Sequence, residues 1–250
     1  MQQKSTTQNS AAGQTAIKPP STFAQFKTLF KKDIQQEFRT KDMLGSMGIY
    51  AVLVLIVFGA TLGQVASGTD VLNISSGLLW SLVVFTSLMG LNRSFNNEKQ
   101  QGCLDGILLA PIDRSVIFLA KAASNFVFLL AVEIIAVPLF WFLFLTSTNM
   151  SDASPLVLLV LLVGTIGIAG IGTLLASMTI NTKKADVMLT VLFVPVAFPL
   201  LYACASASAA VIIGGQGFID TFTASLALAG AYDVIMLLLS WVLYDFVISA

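Results

Sequence analysis

Six long apolar stretches constrain the fold of this chain more than any other feature of the sequence. They cover residues 45–66, 71–92, 118–145, 155–178, 187–213 and 226–248. A helix needs about 20 apolar residues to cross the hydrocarbon core of a bilayer, where helices satisfy their own backbone groups. With 56% hydrophobic and 10% charged residues, the chain has too little polar surface for a water-soluble globule. The sequence therefore predicts an all-α, polytopic membrane protein with six transmembrane helices.

The positions of the lysine and arginine residues predict the orientation of these helices. Seven of them precede the first stretch, four lie between Arg93 and Lys121, and two lie in the connection after the fourth stretch. The first, third and fifth connections contain none. Because positively charged connections stay in the cytoplasm, we predict cytoplasmic N- and C-termini in a multi-pass protein of the bacterial inner (plasma) membrane.

The segment before the first stretch divides into two parts. Residues 1–20 are polar and lack the apolar core of a signal peptide, so we expect a disordered cytoplasmic leader. In residues 21–42 the apolar side chains recur at three- and four-residue spacing: Phe23, Phe26, Phe30, Ile34 and Phe38. This pattern, with cations on the other faces, favours an amphipathic interfacial helix over a helix that packs on a soluble partner. Residues 43–250 then form the six-helix transmembrane domain.

The sequence lacks the residues and motifs of the common enzyme classes. It contains no histidine, no GxxxxGK[ST] phosphate loop, no nucleophile elbow and no metal-ligand cluster. Its two cysteines, Cys103 and Cys204, are too few and too differently placed for a disulfide framework. We therefore predict a protein that is not an enzyme, with no catalytic, cofactor-binding or metal-binding residues and no cofactor bound by the chain itself.

The cytoplasmic connection over residues 93–117 is the longest charged segment and carries more apolar side chains than a solvated loop needs. Phe95, Leu104 and Leu108 lie among its charges, and Pro111 ends the segment before the third stretch. An apolar patch ringed by charge favours a docking surface for a partner. The alternative is that these side chains fold back on the bundle, and the residues alone do not decide between the two.

Two carboxylates and several helix-modifying residues lie inside the stretches. Glu133 is predicted near the midplane and Asp233 in the outer half of the sixth stretch, either lining a polar path or bonding across helices. The fourth stretch carries four glycines that allow close helix approach: Gly164, Gly167, Gly170 and Gly172. Pro195 and Pro199 in the fifth stretch are consistent with tight packing or with a hinge.

The pattern of the connection resembles that of the ABC-2-type permeases, and most closely the CcmB family of haem-exporter permeases in cytochrome c maturation. The residues that carry the resemblance, which extends over about residues 22–250, are Phe95, Glu98, Gly102, Leu104, Leu108, Leu109, Pro111, Arg114 and Lys121. The resemblance implies that 93–117 is a coupling loop to a separate ATPase. The ATPase-coupling candidates are then Phe95, Glu98, Gly102, Leu104, Leu108, Pro111 and Arg114.

The resemblance also implies a function and partners. We expect a membrane permease subunit of an ABC transporter complex that acts in haem export or delivery for c-type cytochrome biogenesis, with haem as a possible substrate. The expected partners are a cytoplasmic ABC ATPase, other cytochrome c maturation membrane proteins, the lipid bilayer and a second copy in a homodimer, and no nucleic acid. The alternatives are an ABC-2 permease for a lipid-linked glycan or a drug, an ATP-independent secondary transporter that uses Glu133 and Asp233, and a purely structural assembly subunit.

Overall fold

Seven helices make up the described part of the chain. The computed structural model describes residues 21–65, 68–100, 114–145, 150–179, 182, 184–214 and 216–249. The helices are α1 (Thr22–Thr40), α2 (Asp42–Val65), α3 (Gly68–Gln100), α4 (Arg114–Phe144), α5 (Met150–Thr179), α6 (Ala185–Ile213) and α7 (Phe218–Ser249). No strand occurs within the described ranges, so the predicted all-α class is confirmed. The predicted leader, residues 1–20, lies outside them.

Helices α2 to α7 are the six predicted spans. Each contains a segment that is long and apolar enough to cross a membrane, which confirms the number of spans. The helices themselves run further than the apolar stretches. Asp70, Asp152 and Asp220, which we expected in the connections, lie inside α3, α5 and α7. The 33 residues of α3 extend about 50 Å at 1.5 Å per residue, so this helix exceeds a hydrocarbon core of about 30 Å.

A single residue separates α1 from the first span. Lys41 adopts a left-handed conformation with φ of 56°, and its N–H donates to the carbonyl of Glu37 at 2.7 Å. This is the geometry in which glycine commonly ends a helix. The one-residue turn joins α1 directly to α2, so a displacement of one helix end is passed to the other.

Helix α5 lies at the centre of the bundle because four glycines remove side chains from its surface. A Cβ built on Gly164 would lie 2.1 Å from the Trp80 ring, and one on Gly172 would lie 2.2 Å from Leu91. Gly167 and Gly170 meet α7 in the same way. We call these four residues the glycine seam; it confirms the predicted close helix approach. Helices α3 and α5 are the most buried spans, while α2 and α7 turn most of their surface outwards.

Candidate functional site

The structure describes only the two ends of the predicted coupling segment 93–117. Phe95 and Glu98 lie in the last two turns of α3, and Arg114 is the exposed first residue of α4. The side chains of Phe95 and Glu98 are outside the described part. The other candidates, Gly102, Leu104, Leu108 and Pro111, lie outside the described residues altogether. Their docking role therefore stays a prediction, while the surroundings of the segment's ends are defined.

A group of polar contacts holds the helix ends around this segment together. The Leu44 N–H, in the first turn of α2, donates to Glu37 Oε1 of α1 at 2.8 Å. The Arg93 Nη1, about two turns before the end of α3, donates to the carbonyl of Asp42 at 3.0 Å. A side chain of α1 thus caps α2, and a side chain of α3 is bound to the same end of α2.

A buried ion pair adds α4 to this group. The Lys121 Nζ lies 3.3 Å from Asp33 Oδ2, and both side chains are about nine-tenths buried. Lys32 approaches the other carboxylate oxygen at 3.2 Å from a position that is 36% exposed. We call the set Asp33, Glu37, Asp42, Arg93 and Lys121 the polar collar. The Lys121 ammonium group, near the start of α4, is thus held by α1.

The collar explains how α1 sits on the bundle. Its buried residues, Gln25, Asp33 and Glu37, are polar and lie on one side of the helix at intervals of four and eight. Phe23 is 74% exposed and Phe38 is 65% exposed. The fully buried contacts of α1 are therefore polar, while Ile34 of the predicted stripe is half-buried and packs against the core. The two ends of the stripe, Phe23 and Phe38, are left accessible for another environment. A membrane interface is such an environment, because aromatic rings can enter the acyl boundary there.

Glu133, the first of the two intramembrane candidates, bonds across helices. The Thr165 hydroxyl of α5 lies 2.8 and 2.9 Å from the two carboxyl oxygens of Glu133, which is 9% exposed. Glu133 also borders a crevice of about 460 Å³ between α4 and α5. The other residues that line this crevice are apolar: Leu130, Ile134, Val137, Pro138, Leu158, Leu161 and Leu162. The carboxyl thus stands at the inner wall of an apolar crevice.

Asp233, the second candidate, packs against the glycine seam. A Cβ on Gly167 would lie 2.0 Å from Asp233 Oδ1 and 2.5 Å from Leu200. Asp233 Oδ1 has no hydrogen-bond partner among the described residues. Its closeness to Gly167 is that of a Cα–H···O contact, which is common where helices approach closely. The neighbouring Tyr232 hydroxyl donates to the carbonyl of Val196, between the two prolines of α6.

The structure does not bring the two carboxylates together. Glu133 contacts α5 at Thr165, and Asp233 contacts it at Gly167. Residues two apart in a helix point about 200° away from each other, so α5 lies between the carboxyls. A single cation site that uses both side chains does not fit this arrangement, whereas two separate sites, as in the secondary-transporter alternative, stay a prediction. No group of three or more His, Cys, Asp or Glu residues that could hold a metal occurs in the described ranges.

Sequence reasoning missed several buried polar contacts. They are Asp33 with Lys121, Asn125 with Thr173 at 2.9 Å, and Trp80 with Ser208 at 3.0 Å. One signal was present: Lys121, Asn125 and Glu133 recur at four- and eight-residue intervals along α4. The partners of that stripe lie on α1 and α5 and follow only from the packing.

The fold and the polar contacts define a polytopic α-helical membrane protein whose polar groups serve to join helices. The family model described as CcmB protein matches residues 24–247. The chain belongs to the CcmB protein family.

Three curated relatives, all named heme exporter protein B, are similar to this chain. The protein of Pseudomonas aeruginosa is 24% identical, over 70% of this chain and 77% of its own. That of Rhodobacter capsulatus is 27% identical, over 70% and 78%. That of Bradyrhizobium diazoefficiens is 27% identical, over 80% and 88%. The likeness thus extends over most of each chain.

Proposed function

We propose that this chain is the membrane permease subunit of an ABC transporter complex that exports or delivers haem for c-type cytochrome biogenesis. The observation that carries the proposal is the family match over residues 24–247, which takes in the spans, most of α1 and the segment 93–117. The names of the curated relatives support haem as the substrate class. The chain itself is not an enzyme, and ATP hydrolysis occurs in a separate cytoplasmic subunit.

The proposed place of the ATPase is the segment 93–117, with Phe95, Glu98, Gly102, Leu104, Leu108, Pro111 and Arg114 as contact candidates. The described ends support this proposal, since Arg93 and Lys121 attach both flanks of the segment to α1 and α2. The protein lies in the bacterial inner membrane with this end in the cytoplasm, forms a homodimer and assembles with other cytochrome c maturation proteins.

Glu133 and Asp233 serve helix packing in this proposal. Each contacts α5, through the Thr165 hydroxyl and over Gly167 respectively. The proposal assigns them no relay across the bundle, and their contacts on opposite sides of α5 support this assignment. The substrate is handled without axial ligation by histidine, since the chain contains none.

Affinity purification from the native membrane tests the proposal. The tagged chain is purified with its partners, which are identified by mass spectrometry, beside a Glu98→Lys, Leu104→Asp variant. We expect an ABC ATPase and haem-handling maturation proteins with the unchanged chain and loss of the ATPase from the variant. An Asp220→Lys variant, at an exposed residue of the first turn of α7, is the matched charge control and should retain the ATPase.

The other results would point to the alternatives. An ATPase recovered with glycan- or drug-export proteins would replace haem by another substrate class. The absence of any ATPase from the unchanged chain would contradict the proposed function. Retention of the ATPase by the Glu98→Lys, Leu104→Asp variant would place the docking surface elsewhere on the chain.

A further inference from the structure

We propose that the Asp33–Lys121 ion pair is a positioning pair that passes movement at the start of α4, the helix that follows the proposed docking residues, to the helices α1 and α2. This inference rests on the proposed function, because it assigns a route for the action of the ATPase within the permease. Neither residue of the pair belongs to the docking segment, and neither is one of the intramembrane carboxylates Glu133 and Asp233.

The first argument is the attachment of both flanks of the segment to one unit. On one flank, Arg93 donates to the carbonyl of Asp42 in α2. On the other flank, Lys121 pairs with Asp33 in α1. Lys121 follows Arg114, the start of α4, by seven residues, which is about 10 Å along the helix. A rigid first part of α4 therefore carries a displacement of its first turn to Asp33.

The second argument is the connection between α1 and α2. The two helices are joined by Lys41 alone, and Glu37 of α1 accepts the Leu44 N–H of α2 at 2.8 Å. A displacement of α1 is therefore passed to the first turn of α2. Because α2 packs on α3 and α4, the displacement enters the bundle at the membrane surface.

The third argument concerns what a buried ion pair does. Burial of two charges removes their hydration, so such a pair often adds little to stability, whereas its geometry is restrictive. Lys121 and Asp33 are both about nine-tenths buried, while Lys32 meets the same carboxylate from a partly exposed position. The two lysines thus allow a comparison at one carboxylate. The buried lysine fixes α1 to α4, and the exposed one lies within α1 itself.

The experiment compares charge removal with charge exchange in the full complex. The variants are Asp33→Asn, Lys121→Gln, the exchange Asp33→Lys with Lys121→Glu, and Lys32→Gln as the matched control. For each, three quantities are measured: the ATPase that co-purifies, the ATP hydrolysed, and the c-type cytochrome matured per ATP.

We expect both single variants to keep the ATPase and its hydrolysis but to lose output per ATP by about fivefold or more, the lower end of typical coupling factors. The exchange should restore the output to within about twofold of the unchanged protein. The Lys32→Gln variant should behave as the unchanged protein does. If the pair had only a structural role, its loss would lower both the amount of the protein in the membrane and the ATP hydrolysed. The c-type cytochrome matured per ATP by the remaining protein would then be unchanged.

Three outcomes would overturn the inference. In the first, the single variants retain the full amount of c-type cytochrome matured per ATP. In the second, the exchange variant accumulates normally in the membrane but does not regain that output per ATP. In the third, every variant loses both its accumulation in the membrane and its ATPase. If only the single variants fail to accumulate in the membrane, the c-type cytochrome matured per ATP by the exchange variant alone decides whether the inference holds. Absence of an ATPase from the unchanged complex contradicts the proposed function instead, and the two failures are therefore distinguishable.

Discussion

The polar collar and the glycine seam both hold helices at close approach, but by different means. In the glycine seam the contact is one of shape: the Trp80 ring lies against Gly164, and the Asp233 carboxyl lies against Gly167. In the collar the contact is one of charge and hydrogen bonding, as in the pair of Lys121 with Asp33. The seam has no room for another atom, whereas the collar depends on which polar atoms are present.

The difference follows from depth in the membrane. In the hydrocarbon core, lipid tails are as apolar as the side chains, so close packing of small residues joins helices there. Near the headgroups water is available, and charged groups such as those of α1 are less costly to retain. The two regions should therefore respond to different substitutions.

The largest expected effect is that of Gly167→Ala in the seam. The added Cβ would lie 2.0 Å from Asp233 Oδ1, 2.5 Å from Leu200 and 2.8 Å from Asp233 Cγ, so the buried side chains of α7 and α6 have to shift. Overpacking of this kind destabilises a core by about 1–3 kcal/mol. We expect a clear decrease in the thermal unfolding temperature of the purified protein in detergent.

Gly230→Ala in α7 is the matched control for this prediction. A Cβ at Gly230 meets nothing within 4 Å, so the substitution should be neutral or stabilise the helix by about 0.5–1 kcal/mol. Equal losses in the two variants would show that α5 does not approach α7 as closely as the seam requires.

A smaller effect is expected for Thr165→Val, which removes a hydroxyl without changing the shape of the side chain. The Glu133 carboxyl then loses its partner on α5 while it stays buried. Cross-helix hydrogen bonds in membranes contribute about 0.6 kcal/mol on average and up to about 1.7 kcal/mol. We expect a loss near the upper value, measured by the same thermal unfolding assay.

Glu133→Gln separates hydrogen bonding from proton transfer at this pair. The amide can still bond to the Thr165 hydroxyl, so its stability should remain close to that of the unchanged protein. Cytochrome c output should also be unchanged across pH, because the proposed role of Glu133 is in packing. A loss of output with retained stability would instead indicate a proton-relay function.

The sequence was sufficient for the number of spans but not for the ends of the helices. Hydrophobic length predicts a crossing because the bilayer thickness is fixed. Polar residues such as Asp70 and Asp220 continue α3 and α7 beyond the apolar stretches. There the length of an apolar stretch no longer indicates where a helix ends. The glycine seam was predictable too, since its small residues recur within one apolar stretch.

The candidate site was predictable only in part. Glu133 and Asp233 were identified because charges in apolar stretches are rare, yet their placement on opposite sides of α5 depends on packing. Lys121 and Asp33 are 88 residues apart in the chain, and the family pattern that includes Lys121 does not include Asp33. No local pattern indicates such a pairing, because it forms only when α1 lies against α4.

The smallest expected loss of stability among the helix-joining contacts is that of Glu37→Ala in the collar. It removes the oxygen that accepts the Leu44 N–H, a loss comparable to that of a helix cap, at about 0.5–1 kcal/mol. Glu37→Gln keeps an oxygen acceptor and should lose less in the same unfolding assay. If Gln destabilised the protein as much as Ala, the negative charge rather than the hydrogen bond would be what the collar needs. If Glu37→Ala lowered the thermal unfolding temperature more than Gly167→Ala does, the collar rather than the glycine seam would contribute most to stability.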